Sequence, residues 1–454
     1  MGETPVPGGP HSPFWWIAAP RPPILEARLP ARTDVLIVGS GVTGLNAARE
    51  LARAGRDVVV VDAGEAGIGA TSRNAGHVGR VLKHEFTSLA QTLGLPKAID
   101  IYREMEAAYE SVGDVIEAEH IECEYRRCGR VILAYSQGQL DLVARECSEK
   151  REHLGEEYRM LDRKGLEAEL DSPLFVGGAY LPESASIHPG LYHLGLLRAA
   201  VACGVQVLSG TKVQSISSER SDGDRFVVRT ARGTVRARDV IVATNGYTGP
   251  GLPGWLRRRL VPFNAYMIAT EELSPRTVAA ILPGNRVYID ANRNVNFFRQ
   301  SPDGMRVLYG GRTGGRVPRD LGDIGGLLFK DAQRILPGLE GHKLAHTWTG
   351  RCAGTFDLYP HIGTHDGIHF AAGYCFAGVP MGTYLGRKLA WGMLGRPDGT
   401  TVFRERPMPG HVLYHGNPWF VPLYMKFSDW LDRRDGGRPS SVGAARAGVP
   451  RGPS

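Results

Sequence analysis

The six residues Gly39-Ser40-Gly41-Val42-Thr43-Gly44 stand between an apolar run, 34–38, and a stretch where Leu45, Ala48, Leu51 and Ala52 recur at helical spacing. A GxGxxG pattern alone says little. Between a strand and a helix, with Asp62 and Ala63 closing the next apolar run, it reads as a dinucleotide-phosphate turn. Gly39 permits the tight turn, Gly41 lets backbone approach a pyrophosphate, and Gly44 lets the helix pack on the strand. Val42 and Thr43 open a helix whose N–H groups and dipole face the anion. The Asp62 carboxylate suits ribose hydroxyls and repels a 2′-phosphate, which argues against NADP.

Residues 69–80, GATSRNAGHVGR, follow almost at once. A nicotinamide enzyme would continue into its next helix. Here Gly69, Ala70, Ala75 and Gly76 let backbone crowd a flat ligand, while Thr71, Ser72, Arg73 and Asn74 supply donors. That combination suits a flavin, whose ring needs donors along its polar rim and a positive field in the reduced state.

Composition sets the frame for these residues. The chain has 454 residues, 42% hydrophobic and 22% charged, enough for more than one domain. The formal charge of +7 suits an anionic cofactor, and no basic run interleaved with aromatics points to nucleic acid. The six cysteines form no CxxC pair, so they read as free thiols without metal in a reducing compartment. No apolar stretch is long enough to span a membrane, and no signal peptide is visible, so the expected location is cytoplasmic.

The elements that must position the site follow from periodicity. Strand-like runs recur at 129–136, 205–210, 225–230 and 239–246, with alternating strands from 256 to 320. Helical patterns occupy 194–204, about 321–335 and the block after Gly373. The expected organisation has an N-terminal arm, 1–31, anchored by Phe14, Trp15 and Trp16. A FAD-binding domain takes 32–84, 150–255 and 340–400, and a cover domain takes 85–149 and 256–339. A C-terminal extension, 401–433, precedes a disordered tail, 434–454.

With DVLIVGSGVTGLNAA, GATSRNAGH, HPG, VIVATNGYTG, FFRQSPDGMRVLYGGR, WTGRCAGTFDLYPHIG, GYCFAGVPMGTYLGRKLA and GNPWF in one chain, the sequence resembles the D-amino-acid-oxidase superfamily of FAD-dependent oxidoreductases. The likeness is to its glycine/sarcosine oxidase branch, and within that to the gamma-glutamylputrescine oxidoreductase-like group. It implies an α/β fold: a discontinuous Rossmann-type FAD-binding domain plus an α+β substrate domain whose antiparallel sheet covers the flavin. It further implies that Ala243, Thr244, Asn245 and Gly246 pass close to the cofactor and that Val213 meets the adenine through its backbone. Gly350 falls in the same set. Gly373, Gly378, Val379, Pro380, Met381, Gly382 and Thr383 would lie along the pyrimidine edge, with a helix N-terminus aimed at N1 and O2.

Several departures from the resemblance matter. Phe376-Ala377-Gly378 stands where many relatives have Gly-His-Gly, and Pro380 stands where sarcosine oxidases carry a carboxylate-binding lysine. Cys352 is offset by about two residues from a flavin-tethering position, and Arg73 occupies a tethering histidine's place, so the expected FAD is non-covalent. No lysine lies between Lys212 and Lys330, so oxygen reduction should be slow unless Arg80, Lys83 or His77 reaches the ring.

The expected chemistry is hydride transfer from the α-carbon of a neutral primary or secondary amine to flavin N5, with a small-molecule amine, such as an amino-acid derivative or polyamine conjugate, as partner. Oxygen is the favoured acceptor. The candidate cover residues are Phe263, Tyr266, Phe298, Tyr374 and Phe376, with His77 near the ring or merely structural. Arg299 and Arg312 would bind a distal carboxylate or form surface ion pairs. The alternatives are a dehydrogenase of an amine or hydroxy acid with another acceptor, and a non-catalytic FAD-binding subunit.

Overall fold

The computed structural model describes residues 9–23, 28–221, 223–314, 320–404 and 406–437. The side chain of Arg312 and most of the expected tail lie outside the described residues; within them the last helix runs through Arg434. Two large sheets dominate. In the first, the central strand Arg32–Val38 pairs in parallel with Val58–Val61 on one side and Gly233–Val242 on the other. Gln206–Leu208 and Ile368–Ala372 extend it in parallel, and His361–His365 closes one edge antiparallel. Val58–Val61 is buried throughout, as a parallel strand covered on both faces must be. A hairpin, Val213–Ser221 and Asp224–Thr230, leans on Gly233–Val242.

The second sheet runs Leu344–Gly354, Val261–Thr270, Val307–Gly314, Phe297–Gln300, Val287–Asp290, Arg130–Ala134, Gly177–Leu181 and Arg159–Leu161. All neighbours are antiparallel except Val287–Asp290 against Arg130–Ala134. The strands Leu344–Gly354, Gly177–Leu181 and Arg159–Leu161, expected in the FAD-binding domain, hydrogen-bond into this cover sheet instead. Strands from 150–255 and 340–400 thus share one sheet with strands from 85–149 and 256–339. Helix Leu321–Ile335 packs its apolar stripe (Leu328, Phe329, Ala332, Ile335) on the outer face of the cover sheet.

The N-terminal arm is an internal element. Phe14–Trp16 forms one 3-10 turn, and Trp15 and Trp16 are fully buried with Met267, Phe297 and Trp348 of the cover sheet. Among the described residues no helix is long and apolar enough to cross a membrane.

Candidate active site

The glycine-rich turn joins Arg32–Val38 to helix Val42–Arg53. Gly39 has φ +109°, and a Cβ at Gly44 would collide with the Gly39 carbonyl, so both positions need glycine for this turn to close. A Cβ at Gly41 would come 3.0 Å from Thr71 Oγ1. No side chain caps the helix at Gly41; among the described residues the Val42 N–H meets one side chain, Thr71 Oγ1 at 3.2 Å. Asp62 Oδ2 accepts from Ser40 N–H (2.9 Å) and Ser40 Oγ (2.6 Å), and Oδ1 accepts from Gly64 N–H. The carboxylate thus fixes the turn, and a carboxylate oxygen with one donor keeps a lone pair for a hydroxyl. Ala63 beside it is exposed.

Buried His193 holds the turn from behind. Its Nε2 lies 2.9 Å from the Ser40 carbonyl and its Nδ1 2.9 Å from Arg21 of the arm. Nε2 can donate to a carbonyl and Nδ1 can accept from a guanidinium only in the neutral ring. Burial accordingly pushes His193 down to about 3.

The donor-rich loop is tied to itself and to the arm. Ser72 Oγ donates to the Gly67 carbonyl and accepts from Trp16 Nε1. Asn74 Nδ2 donates to Thr71 O at 2.8 Å while Oδ1 accepts from Gly76 N–H. Arg73 donates to the Ile68 and Thr349 carbonyls and lies over the Trp16 ring. Three of the four expected side-chain donors are therefore engaged inside the protein, and the loop offers backbone and Thr71. Trp15 Nε1 donates to Asn74 O and Trp348 Nε1 to Arg73 O, Ala75 packs with the arm, and Ala70 and Arg73 sit against Gly350.

At the loop's end stands His77. Its Nε2 is buried without a partner among the described residues, and burial with the charges of Arg299 and Arg130 holds the ring well below its ordinary range. Among the described residues Arg299 forms no ion pair. It is buried, donating to the carbonyls of Gly76 (3.1 Å), Ile187 (3.0 Å) and Gln300.

Two further segments converge on the turn. Ala243 N–H donates to Val38 O, Thr244 shares its hydroxyl with Thr248, and Asn245 Oδ1 accepts from Gly373 N–H at 3.0 Å. A Cβ at Gly246 would press on the backbone of Arg351 and Cys352. Val213 is buried at the head of its strand. Beyond Gly373, Cys375 (φ +41°) and Phe376 (φ +78°) are consecutive left-handed non-glycine residues, a costly conformation of the kind that collects at functional sites. They lead into helix Gly378–Met393, which no side chain caps and which has open space beside Gly378. Val379, Pro380 and Met381 form its buried first turn. Gly382 packs against Thr43, and Thr383 Oγ1 lies 2.9 Å from Tyr192 OH.

A cavity of about 320 Å³ adjoins this strained segment. Its walls are Phe263, Phe297, Phe356, Cys375, Phe376 and Phe420, with Tyr424 and Met425 from the C-terminal helix Val421–Arg434. Of the expected cover aromatics, Phe263 and Phe376 line it. Tyr266 and Phe298 do not: they are buried on the opposite face of the sheet, Phe298 stacked on Tyr288 at 5.2 Å. Phe297, one residue earlier, takes the cavity side and meets His77 edge-on at 5.6 Å. Tyr374 is core, its hydroxyl held by Thr43 Oγ1 (2.8 Å) and Ala371 O.

Lys83 is the notable charge. Its Nζ stands 4.9 Å from the Phe376 ring centroid, and among the described residues no carboxylate pairs with it. Arg293, the other cation on the wall, is paired with Asp432 and Asp435. Arg80 is engaged by Glu106, Glu156 and Glu183. Phe356 lies within WTGRCAGTFDLYPHIG and Phe420 closes GNPWF, but no local pattern marks either as a cavity wall.

A family model described as DAO, FAD dependent oxidoreductase, matches residues 34–391. The probable oxidoreductase OrdL of Haemophilus influenzae is 27% identical, over 86% of this chain and 88% of its own. Gamma-glutamylputrescine oxidoreductase of Escherichia coli is 30% identical, over 88% of this chain and 92% of its own. Among solved structures, glycine oxidase from Geobacillus kaustophilus matches with a TM-score of 0.69 at 23% identity, covering 84% of this chain and 99% of that one.

Proposed function

This chain belongs to the FAD dependent oxidoreductase family, and from that premise we propose that it oxidises a primary or secondary amine to the imine, with FAD held non-covalently and oxygen as the favoured final acceptor. The residues fit the cofactor: a turn whose Gly41 leaves backbone bare beside Thr71, two uncapped helix N-termini, and the orphaned Nε2 of His77. Bound FAD supplies a hydride acceptor at its ring.

The observation that carries the amine reading is the cavity wall. Among the described lining residues there is no carboxylate and no imidazole. Removing a hydroxyl proton from a hydroxy acid needs a base there; a neutral amine needs none. The apolar walls exclude water and disfavour an ammonium group, and the Lys83 charge adds like-charge repulsion, so the wall selects the unprotonated amine. The same lysine suits a carboxylate elsewhere on the substrate, which favours amino-acid derivatives and amine conjugates carrying an acid group. The names of gamma-glutamylputrescine oxidoreductase and glycine oxidase agree with that class.

The test is anaerobic bleaching of the bound flavin by a panel of amines and a matched panel of hydroxy acids. Bleaching by amines, with faster rates as pH rises toward the substrate's own pKa, is expected. Bleaching by hydroxy acids alone would overturn the amine reading, and no bleaching by either would favour a non-catalytic subunit.

A further inference from the structure

The C-terminal helix Val421–Arg434 has an unusual division of side chains. Both acids inside it, Asp429 and Asp432, are buried. Asp429 accepts from Asn294 Nδ2 at 2.6 Å, and Asp432 accepts from the backbone and side chain of Arg293. The acids thereby dock the helix on the turn between Val287–Asp290 and Phe297–Gln300. What remains outside is apolar or basic.

Leu423, Phe427 and Trp430 follow one another at four and three residues, the spacing of a single helical stripe, with Trp419 just before the helix, and all four are more than half exposed (61%, 55%, 53% and 60%). Tyr424 lies beside them, and Val412 and Leu413 protrude from the preceding segment. Phe427 and Trp430 stack on each other at 5.9 Å, with Arg434 over Trp430. Lys426, Arg433 and Arg434 are exposed on the same helix; of these Arg434 also reaches Asp435. The sequence beyond, 438–454, contains three arginines and no acid.

A contiguous exposed stripe of this size is rare on a soluble surface and marks a binding face. Trp, Phe and Leu flanked by Lys and Arg, with every acid of the helix turned inward, match an apolar boundary under a negative surface. We propose that this face docks on an anionic lipid bilayer, with the aromatic stripe at the headgroup boundary and Lys426, Arg433 and Arg434 on lipid phosphates. The face is continuous with the cavity: Tyr424 is exposed and also lines it, and Phe420, Val421 and Met425 of the same segment form its wall. Docking would therefore bring the cavity wall to the lipid surface.

The experiment is flotation of the full-length FAD-loaded protein with vesicles of phosphatidylcholine alone and of phosphatidylcholine with about 30% phosphatidylglycerol, a composition that gives the bilayer a negative surface potential. Retention on the anionic vesicles, weakened by high salt and at least tenfold weaker in F427S/W430S, is expected. Phe427 and Trp430 neither line the cavity nor touch the glycine-rich turn, so the double variant should keep its flavin and its amine oxidation rate; both are measured to exclude misfolding. In a K426Q/R433Q variant, binding should fall while the salt dependence flattens. A wild-type protein that stays soluble beside millimolar anionic lipid overturns the proposal. So does a wild-type dimer that F427S/W430S converts to monomer in sedimentation, which would assign the stripe to a second copy of the chain.

Discussion

Lys83 concentrates the chemistry at the residue scale, because an ammonium with no carboxylate partner among the described residues stands on the wall of an aromatic cavity and acts on whatever enters. A charge-assisted contact to a substrate carboxylate contributes about 1.5–3 kcal/mol, or about 10- to 150-fold in affinity. Lys83→Met should raise KM for carboxylate-bearing amines by about that factor and leave KM for uncharged amines nearly unchanged. It should also slow reoxidation by oxygen, since Arg80 is neutralised by three glutamates and His77 is held neutral. Steady-state kinetics on paired substrates and rapid mixing of reduced enzyme with oxygen read the two effects separately. Equal KM shifts for both substrate types would remove Lys83 from substrate recognition. Cys352 makes the opposite case. Burial pushes its thiol up to about 12, so it stays protonated and is a poor nucleophile. Acid precipitation should therefore release all the yellow colour, and Cys352→Ser should retain FAD like the parent; a yellow pellet that turns white in the variant would place a covalent bond there.

Helix Pro189–Ala202 couples the fold to pH at the scale of elements. Its N-cap, His188, accepts the Leu191 N–H through Nδ1, and its His193 braces the glycine-rich turn. Burial lowers His188 to about 4 and His193 to about 3. Folded values below the unfolded value near 6.5 mean that the unfolded chain binds more protons, so stability is complete above about pH 6.5 and lost as pH falls toward 4 and 3. With both groups inside that window the slope approaches about 2.7 kcal/mol per pH unit. Because His193 supports Ser40, FAD release should rise along the same limb. His193→Gln keeps a donor for the Ser40 carbonyl and removes one titration, so it should roughly halve the slope of Tm against pH between 4 and 6; an unchanged slope would mean that His193 does not contribute. The elements themselves were largely legible. The strand-turn-helix unit at 34–53 and the helices near 194–202 and 321–335 follow local periodicity, which sequence displays directly. Strand partners do not. Leu344–Gly354 joins the cover sheet through pairing with Val261–Thr270, a contact far apart in sequence that no local pattern records. The choice between Phe297 and Phe298 was equally hidden, because adjacent aromatics fit either face of a strand and only the pairing register decides.

The two sheets must meet accurately for the loop 69–80 beside one to face a cavity walled by the other, and the whole molecule achieves this with buried polar clamps. Trp15 and Trp16 hold the loop from the arm, Trp348 holds Arg73 from the cover sheet, and Arg299 reaches from Phe297–Gln300 to the carbonyls of Gly76 and Ile187. Arg299 has burial to overcome, which lowers it to about 10, and its guanidinium donates to the carbonyls of Gln300, Gly76 and Ile187. A buried cation kept only for stability would be better replaced by an apolar side chain. Its position points to a geometric role, that of fixing Gly76 and therefore the backbone that carries His77. Arg299→Met keeps the length and loses the donors, leaving buried carbonyls short of partners at about 1–3 kcal/mol each. It also removes a positive charge that helps hold His77 neutral. The expected result is FAD binding weakened by about tenfold or more, a lower Tm, and a His77 titration moved upward, seen as a new acid-side dependence of the flavin spectrum. FAD titration of the apoprotein and the pH dependence of the flavin spectrum measure these. A variant with lower Tm but unchanged FAD affinity and spectrum would show that Arg299 stabilises the join without shaping the site. Full retention of all three would show that the tryptophan clamps suffice to hold the two sheets in register.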